Sequence, residues 1–420
     1  MTSFIGADMG FHSNASLRRR AQRIGARALL AASLAMVLGG STMAHGSNQP
    51  LYVNPDSTVV RAAKGLTGQA EQDARLIARF PTGTWLTSGT PEEVQAEAHK
   101  LVGDAAAKGA IPVLVAYNIP FRDCALYSAG GAADSAAYAA WIRGLAAGIG
   151  SGRAIVILEP DGLGVIPWNI TLNGQPESCR PAGMDAKATV ERYRQLRDAS
   201  AVLSALPGVQ LYMDGGGSSW LAPGEIAARL LMADAGKARG FFLNVSNYES
   251  DTRLKRYARW VSDCMALVSQ GGLSPRECPG TPITGARDYP GAWADVDAAY
   301  DTLFWRLHLK RDPQAQKHAV LDTSRNGQGG WVPKPGHYRD AEVWCNPPER
   351  GLGRRPTLAS DDPYIDAFLW IKIPGESDGQ CYRGTAGPGD PERGMVAPAA
   401  GAWFAQQARE LITLARPGVE

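Results

Sequence analysis

Acidic residues end several separate apolar runs of this chain. Asp123 closes YNIPFRD, Asp161 follows AIVILEP, Asp214 closes VQLYMD, and Glu376 and Asp378 follow FLWIKIPG. Each run is short, rich in Val, Ile, Leu or Tyr, and broken by Gly or Pro, as a buried parallel strand is. An acid just past the C-terminal end of such a strand occupies the place where an α/β barrel keeps its reactive groups. Several acids converging there, with tryptophans nearby and no histidine cluster, point to acid/base chemistry on a neutral, hydroxyl-rich molecule. A sugar polymer is the natural candidate.

Cleaving a glycosidic bond needs one carboxylic acid to protonate the departing oxygen. In inverting enzymes a second carboxylate activates water across the ring. The first acid must hold its proton near neutral pH, and a second carboxylate close by achieves this through like-charge repulsion. Asp161, ending the most apolar run, suits the proton donor, and Asp123, beside Arg122 and Cys124, suits its partner. Any one of these aspartates could instead cap the helix that follows its strand. Capping does not account for the recurrence at four strand ends.

The elements that must position these acids alternate. Strand candidates are Gly83 to Leu86, Ile111 to Tyr117, Ala154 to Leu158, Val209 to Met213, Gly240 to Val245, His318 to Leu321 and Ala367 to Ile373. Helical patterns lie at Pro91 to Gly109, Asp134 to Ile149, Asp185 to Ala205, Pro223 to Ala235 and Asp295 to Leu309. The first has an acidic opening turn and a closing Gly, as a helix dipole favours. Such alternation predicts a parallel sheet covered by helices. The stretches Gly162 to Met184, Gly271 to Trp293, Gly327 to Pro363 and Gly379 to Pro398 read as long loops, of the kind that form lids or binding walls.

At 420 residues, 45% hydrophobic and 20% charged, the chain is too apolar for disorder and long enough for one large barrel. Its net charge of +2 owes much to Arg18, Arg19, Arg20, Arg23 and Arg27, so the remainder offers no basic surface for nucleic acid. Those arginines, the apolar run Ala28 to Leu38 and the small residues up to Ala44 read as a signal peptide over 1–44. The run SLRRRAQR also resembles a twin-arginine signal. The expected mature protein is a single catalytic domain, 45–420, with no membrane span after signal removal, secreted to the extracellular space or periplasm. Six cysteines follow the signal without a close Cys-x-x-Cys pair, which argues for disulfides over a metal or redox motif. Fifteen pairings are possible. Sequence order and loop placement favour Cys124 with Cys179, Cys264 with Cys278, and Cys345 with Cys381.

The segments YNIPFRDC, VILEPDGLG, LYMDGGGSSWL, NVSNY, LDTSRNGQG, WCNPPERGLG and FLWIKIPGESDGQC together resemble glycoside hydrolase family 6, the inverting β-1,4-glucanases. They occur in family order and run roughly from Trp85 to Trp403. Several adjacent motifs in order are more specific than any one alone. The resemblance implies an α/β fold, a distorted (β/α) barrel with fewer than eight parallel strands and long disulfide-stapled loops. It implies no cofactor, no metal and no covalent intermediate. It places the proton donor at Asp161, the acid that raises the donor's pKa at Asp123, and the base at Asp378. Tyr117 matches a tyrosine crowding the sugar at the cleavage point, and Ser128 a serine that holds water. Trp85, Trp220 and Trp344 match aromatic platforms, whose flat rings suit the apolar faces of glucose units. Lys372 and Glu376 match a polar pair on sugar hydroxyls, and Asn247 and Asp214 further hydroxyl contacts. Trp141, Trp260, Trp305 and Trp403 lie in helical patterns and are expected in the core.

One departure is visible. The family's histidine three residues after the aspartate of LYMDGGG is Gly217 here, which removes a hydrogen bond on the leaving side. The expected activity is endo-β-1,4-glucan hydrolysis by a monomer. Cellobiohydrolase action at chain ends is the runner-up, because the loop from Gly162 to Cys179 is long for an open cleft. A catalytically inactive glycan-binding protein would need none of Asp123, Asp161 and Asp378. A histidine-based metal site is poorly supplied by 6 histidines, and Ser218 and Ser324 lack a nucleophile elbow.

Overall fold

Seven strands form one wholly parallel sheet in sequence order, each paired with the next. They are β1 (Thr84–Leu86), β2 (Val113–Ala116), β3 (Ala154–Leu158), β4 (Val209–Asp214), β5 (Gly240–Leu243), β6 (His318–Asp322) and β7 (Ile365–Leu369). The computed structural model describes residues 49–281 and 290–419. The expected signal peptide and part of the loop expected at Gly271 to Trp293 lie outside the described residues.

Alternation along the strands divides the core in two. Val113, Val115, Ile155, Ile157, Tyr212 and Phe242 pack with Val320, Ala367 and Leu369, strand against strand, and fill the inside of the curl. The intervening residues, such as Leu114, Val156, Leu158, Met213 and Phe241, pack outward against helices. Both faces are therefore dry, which is why the strands read as unbroken apolar runs.

The curl does not close by a ladder between β7 and β1. Instead Gly83 N–H donates to Trp370 O at 2.8 Å and Trp85 Nε1 to Ile371 O at 2.8 Å. A Cβ on Gly83 would sit 2.6 Å from Ile371 O, so only glycine permits this approach. The residues after Leu369, read from sequence as a continuing strand, leave the sheet to make this seam. A third apolar cluster covers it, joining Trp370 and Ile373 to helices α1 (Thr58–Lys64), α2 (Gly68–Ile77) and α9 (Ala405–Thr413). None of these three helices is among the sequence expectations.

The five expected helices are present as α3 (Pro91–Ala107), α4 (Ser135–Ile149), α5 (Lys187–Ser204), α6 (Pro223–Met232) and α8 (Pro290–Arg306). Helix α3 opens on a full capping box between Thr90 and Glu93, with Pro91 next, the arrangement that best satisfies orphan amides at a helix start. The longest among the described residues, α7 (Asp251–Gly271), is an addition. Its inward face carries Arg253, paired with Glu249, and Asp263, paired with Arg311. Those buried charges interrupt the apolar stripe by which a helix is recognised in sequence. The three disulfides are those expected, Cys124–Cys179, Cys264–Cys278 and Cys345–Cys381, with Cα–Cα separations of 5.6, 5.7 and 5.7 Å. Trp305 corrects an expectation: it is 78% exposed, whereas Trp141 and Trp260 are buried and Trp403 is half-buried. The apolar period of α8 places Tyr300, Leu303 and Phe304 inward and leaves position 305 on the outer face.

Candidate active site

The acids meet beyond the C-terminal ends of the strands. Asp214 is the last residue of β4, Asp161 follows β3, and Asp123 lies on the loop after β2. Asp123, Cys124, Glu159 and Asp161 all have positive φ, between 45° and 65°. That region is strained for residues with a Cβ, and strain of this kind concentrates where function requires a set geometry.

Asp161 faces Asp214 and Asp123. Burial, then the charges of these two carboxylates, push its pKa well above the ordinary value, so it holds a proton in water where a free aspartate would not. Asp214 is 3% exposed. Its oxygens accept from the N–H of Leu163 (3.0 Å), Gly164 (2.8 Å) and Gly216 (2.8 Å), so this side chain holds the turn that follows Asp161. Burial also raises the pKa of Asp123, with Asp378 adding to the rise, while the Ser128 N–H bond (2.6 Å) and Arg122 oppose it. Ser128 reaches Asp123 through its backbone, and its carbonyl accepts from Arg122 Nε at 2.9 Å.

Asp378 has the opposite surroundings. Although burial pushes its pKa up, Arg325 and Lys372 hold it below the ordinary range. Arg325 Nη1 donates to Oδ2 at 2.9 Å, Asn346 N–H to the same oxygen at 2.9 Å, and Tyr248 O–H at 3.3 Å. Lys372 Nζ lies 3.3 Å from Oδ1. Lys372 is thus paired directly with Asp378. Glu376 accepts from the Thr58 hydroxyl, and burial raises its pKa against the pull of Lys372.

Tyr117 is buried beside both acids. Burial and then the charges of Asp161 and Asp123 drive its hydroxyl pKa well up. Its ring meets Trp85 edge-on at 5.2 Å, and the Arg122 guanidinium lies 4.6 Å from its centre. Trp220 is 39% exposed and lies against Gly164, whose missing Cβ would fall 2.2 Å from the indole. Trp344 packs on Tyr127 at 5.7 Å, next to the Cys345–Cys381 bridge. Asn247 donates to Val245 O at 3.2 Å. At Gly217 a Cβ would meet nothing within 4 Å, so no neighbour fills the place of the missing histidine.

Sequence reasoning passed over Asp322, Arg325, Tyr248, Glu159 and Arg192. Asp322 ends β6 and accepts from the N–H of Ser246 (3.3 Å), Ser324 (2.9 Å) and Lys372 (3.0 Å). An acid closing the apolar run HAVLD was a legible signal for it. Arg325 carried no such signal, because its value comes from being fully buried against Asp378.

A sequence model of the glycosyl hydrolases family 6 matches residues 46–415. Endoglucanase A of Thermobispora bispora is 34% identical over 371 residues, covering 86% of this chain and 66% of that protein. The chain therefore spans just under two thirds of that relative's length. A probable 1,4-beta-D-glucan cellobiohydrolase C of Aspergillus fumigatus is 28% identical over 88% of this chain and 78% of its own. Among solved structures, the endoglucanase Cel6 from Mycobacterium tuberculosis, in complex with a methyl-cellobiosyl thio-cellobioside, superposes with a TM-score of 0.63. It is 31% identical, over 88% of this chain and 98% of that one.

Proposed function

This chain belongs to the glycosyl hydrolases of family 6, and from that premise we propose that it is a secreted, inverting β-1,4-glucanase that cuts within chains. One observation carries the reading: the mouth of the barrel pairs an acid that keeps its proton, Asp161, with one held ionised, Asp378. In the proposed single displacement Asp161 protonates the departing glycosidic oxygen. Asp123 lies between the two ends electrostatically, acting on Asp161 and acted on by Asp378. Its part is to sustain the donor's proton and to organise the attacking water. Asp378 takes the proton of that water, with Arg325 and Lys372 fixing its charge. Tyr117, Trp85, Trp220, Trp344, Lys372, Glu376, Asn247, Asp214 and Ser128 are proposed to line the sugar path.

The stereochemistry tests the reading directly. Attack by water opposite the departing oxygen makes the first product from a β-linked chain the α anomer, as NMR taken immediately after cleavage reads. A β first product means retention through a covalent intermediate and fells the proposal. Endo action is supported by the brevity of the segment between Cys345 and Cys381, 36 residues apart, and by the endoglucanase relative. It predicts a steep fall in carboxymethylcellulose viscosity with few new reducing ends. Chain-end release of cellobiose remains the second reading, since residues 162–179 form a wall pinned by Cys124–Cys179 and by Arg229 on Glu177. The arginine-rich leader and three disulfides support export to an oxidising compartment. The substrate proposed is a β-glucan polysaccharide, taken by a monomer without cofactor.

A further inference from the structure

Under the two acid-bearing loops lie Glu159 and Arg192, fully buried side chains to which the displacement above gives no role. Glu159 is 0% and Arg192 3% exposed. The Glu159 carboxylate accepts from Asn118 N–H, at 3.1 Å to Oε1 and 2.9 Å to Oε2, and from Ile119 N–H at 3.0 Å. Arg192, from α5, donates Nη2 to Pro120 O at 2.8 Å and Nη1 to Gly162 O at 3.1 Å and Val165 O at 3.2 Å. The segment 118–120 is thus gripped by its N–H groups from one side and by a carbonyl from the other, just before the strained residues Phe121 and Asp123. The same two side chains belong to, or hold, the turn containing Asp161, for Glu159 is itself in the left-handed region two residues before it.

We propose that Glu159, acting with Arg192, is a positioning residue that sets the separation between Asp161 and Asp123. The inference rests on the hydrolase reading above. A carboxylate can accept two backbone N–H groups at once, whereas an amide at this position turns a donor toward one of them. The groups facing Glu159 are Tyr138 of α4, Arg192 of α5 and the Tyr117 ring hydroxyl. Burial, set against the backbone bonds from Asn118 and Ile119, brings the Glu159 carboxyl to about 7. Because the charge of Asp123 raises the pKa of Asp161, any widening between them lowers the donor's pKa and moves the alkaline limb of the pH–rate profile to lower pH.

The test is Glu159→Gln in the full chain, with kcat, KM and pH profile measured on a soluble β-1,4-glucan. The expected result is a kcat lower by about tenfold or more with KM within about twofold, as misplacement of reacting groups produces. The alkaline limb should also move acidward by about half a pH unit, the size of change that a small loss of charge interaction gives. Asp263→Asn is the control, since Asp263 is equally buried but sits on α7 with Arg311 and Gln316. It should lower Tm and leave the alkaline limb in place. A Glu159→Gln enzyme with wild-type kcat and limb overturns the inference, as does an Asp263→Asn enzyme that shifts the limb equally. Where Glu159→Gln does not accumulate, Glu159→Asp is read by the same criteria, as it keeps the charge and withdraws the carboxylate from Asn118 and Ile119. Wild-type activity in the same series separates the two claims: an inert wild type overturns both, while an active one beside an unaffected variant overturns this inference alone.

Discussion

The two halves of the cleft treat an aspartate in opposite ways. On one side Asp161, half-buried, faces two other carboxylates; on the other Asp378 is buried against Arg325 and Lys372. Burial acts in the same direction on both, raising the pKa. The neighbour decides the outcome, so the same residue type has its pKa raised on one side and lowered on the other. Each half also has its own staple, Cys124–Cys179 for the donor side and Cys345–Cys381 for the base side. Each has its own exposed or half-exposed tryptophan, Trp220 and Trp344.

The largest expected effect breaks the donor half. Asp161→Asn should reduce the hydrolysis rate of an unactivated glucan by about 10²–10⁴-fold, the usual contribution of general acid catalysis, while leaving chain binding intact. The same variant should be more stable than wild type. The native Asp161 carboxyl keeps its proton to a pH well above 3.8, whereas the unfolded chain releases it near that value. Wild type therefore loses stability as pH rises above about 4 until the native pKa is passed. The amide has no proton to hold, so the difference in Tm between variant and wild type should widen over that window. A variant that is inactive and no more stable would show that Asp161 is not held against its ionised form.

Removing the staples tests whether the halves are separately built. Each of the two loops they close is several dozen residues long, and the chain-entropy estimate for such a bridge is about 3–5 kcal/mol. Paired Cys→Ala substitution at Cys124 and Cys179 should lower Tm and shift the alkaline limb of the rate profile, since Asp123 adjoins that bridge. The pair at Cys345 and Cys381 should lower Tm and shift the acid limb instead. Identical shifts from both would mean that the two halves move as one.

Arg325→Met breaks the base half. It leaves a buried carboxylate with Lys372 as its remaining cation, at a cost of about 3 kcal/mol in unfolding free energy, toward the low end for a broken buried pair. With its depressed pKa, Asp378 stabilises the native state above the unfolded value near 4, and that contribution is lost as pH falls through the native pKa. Without Arg325 the native pKa rises, so both the acid limb of activity and the acid-side loss of Tm should begin at higher pH. An unchanged acid limb would remove Asp378 from the role of base. The smallest effects belong to the platforms. Trp220→Ala and Trp344→Ala should each weaken chain binding by about 1–3 kcal/mol if a sugar-stacked ring behaves as a binding hot spot. Binding isotherms on cello-oligosaccharides of increasing length would show which half each ring serves.

Much of this was legible before any coordinates. All seven strands announced themselves as apolar runs, because a sheet buried on both faces has no polar alternation to hide them. The acids at their ends and the three cysteine pairs followed from position along the chain. Asp322 apart, the site residues that were missed depend on partners distant in sequence. Arg325 and Asp378 meet across 53 residues, and Glu159 and Asn118 across 41; nothing local to either residue marks the pairing. Helix α7 hid for a similar reason, its inward charges being neutralised from elsewhere. Trp305 misled because lying on a helix does not by itself mean lying in the core; the period set by Tyr300, Leu303 and Phe304 turns position 305 outward.

The amino-acid order by itself determined the parallel strands, their succession and the set of carboxylates available at one end. Those follow from local polarity and period, which act within a few residues. Which carboxylate keeps its proton and which loses it was decided by the tertiary structure alone. A pKa responds to burial and to charges within a few ångströms in space. Only the folded chain places Asp214 and Asp123 beside Asp161, and Arg325 and Lys372 beside Asp378.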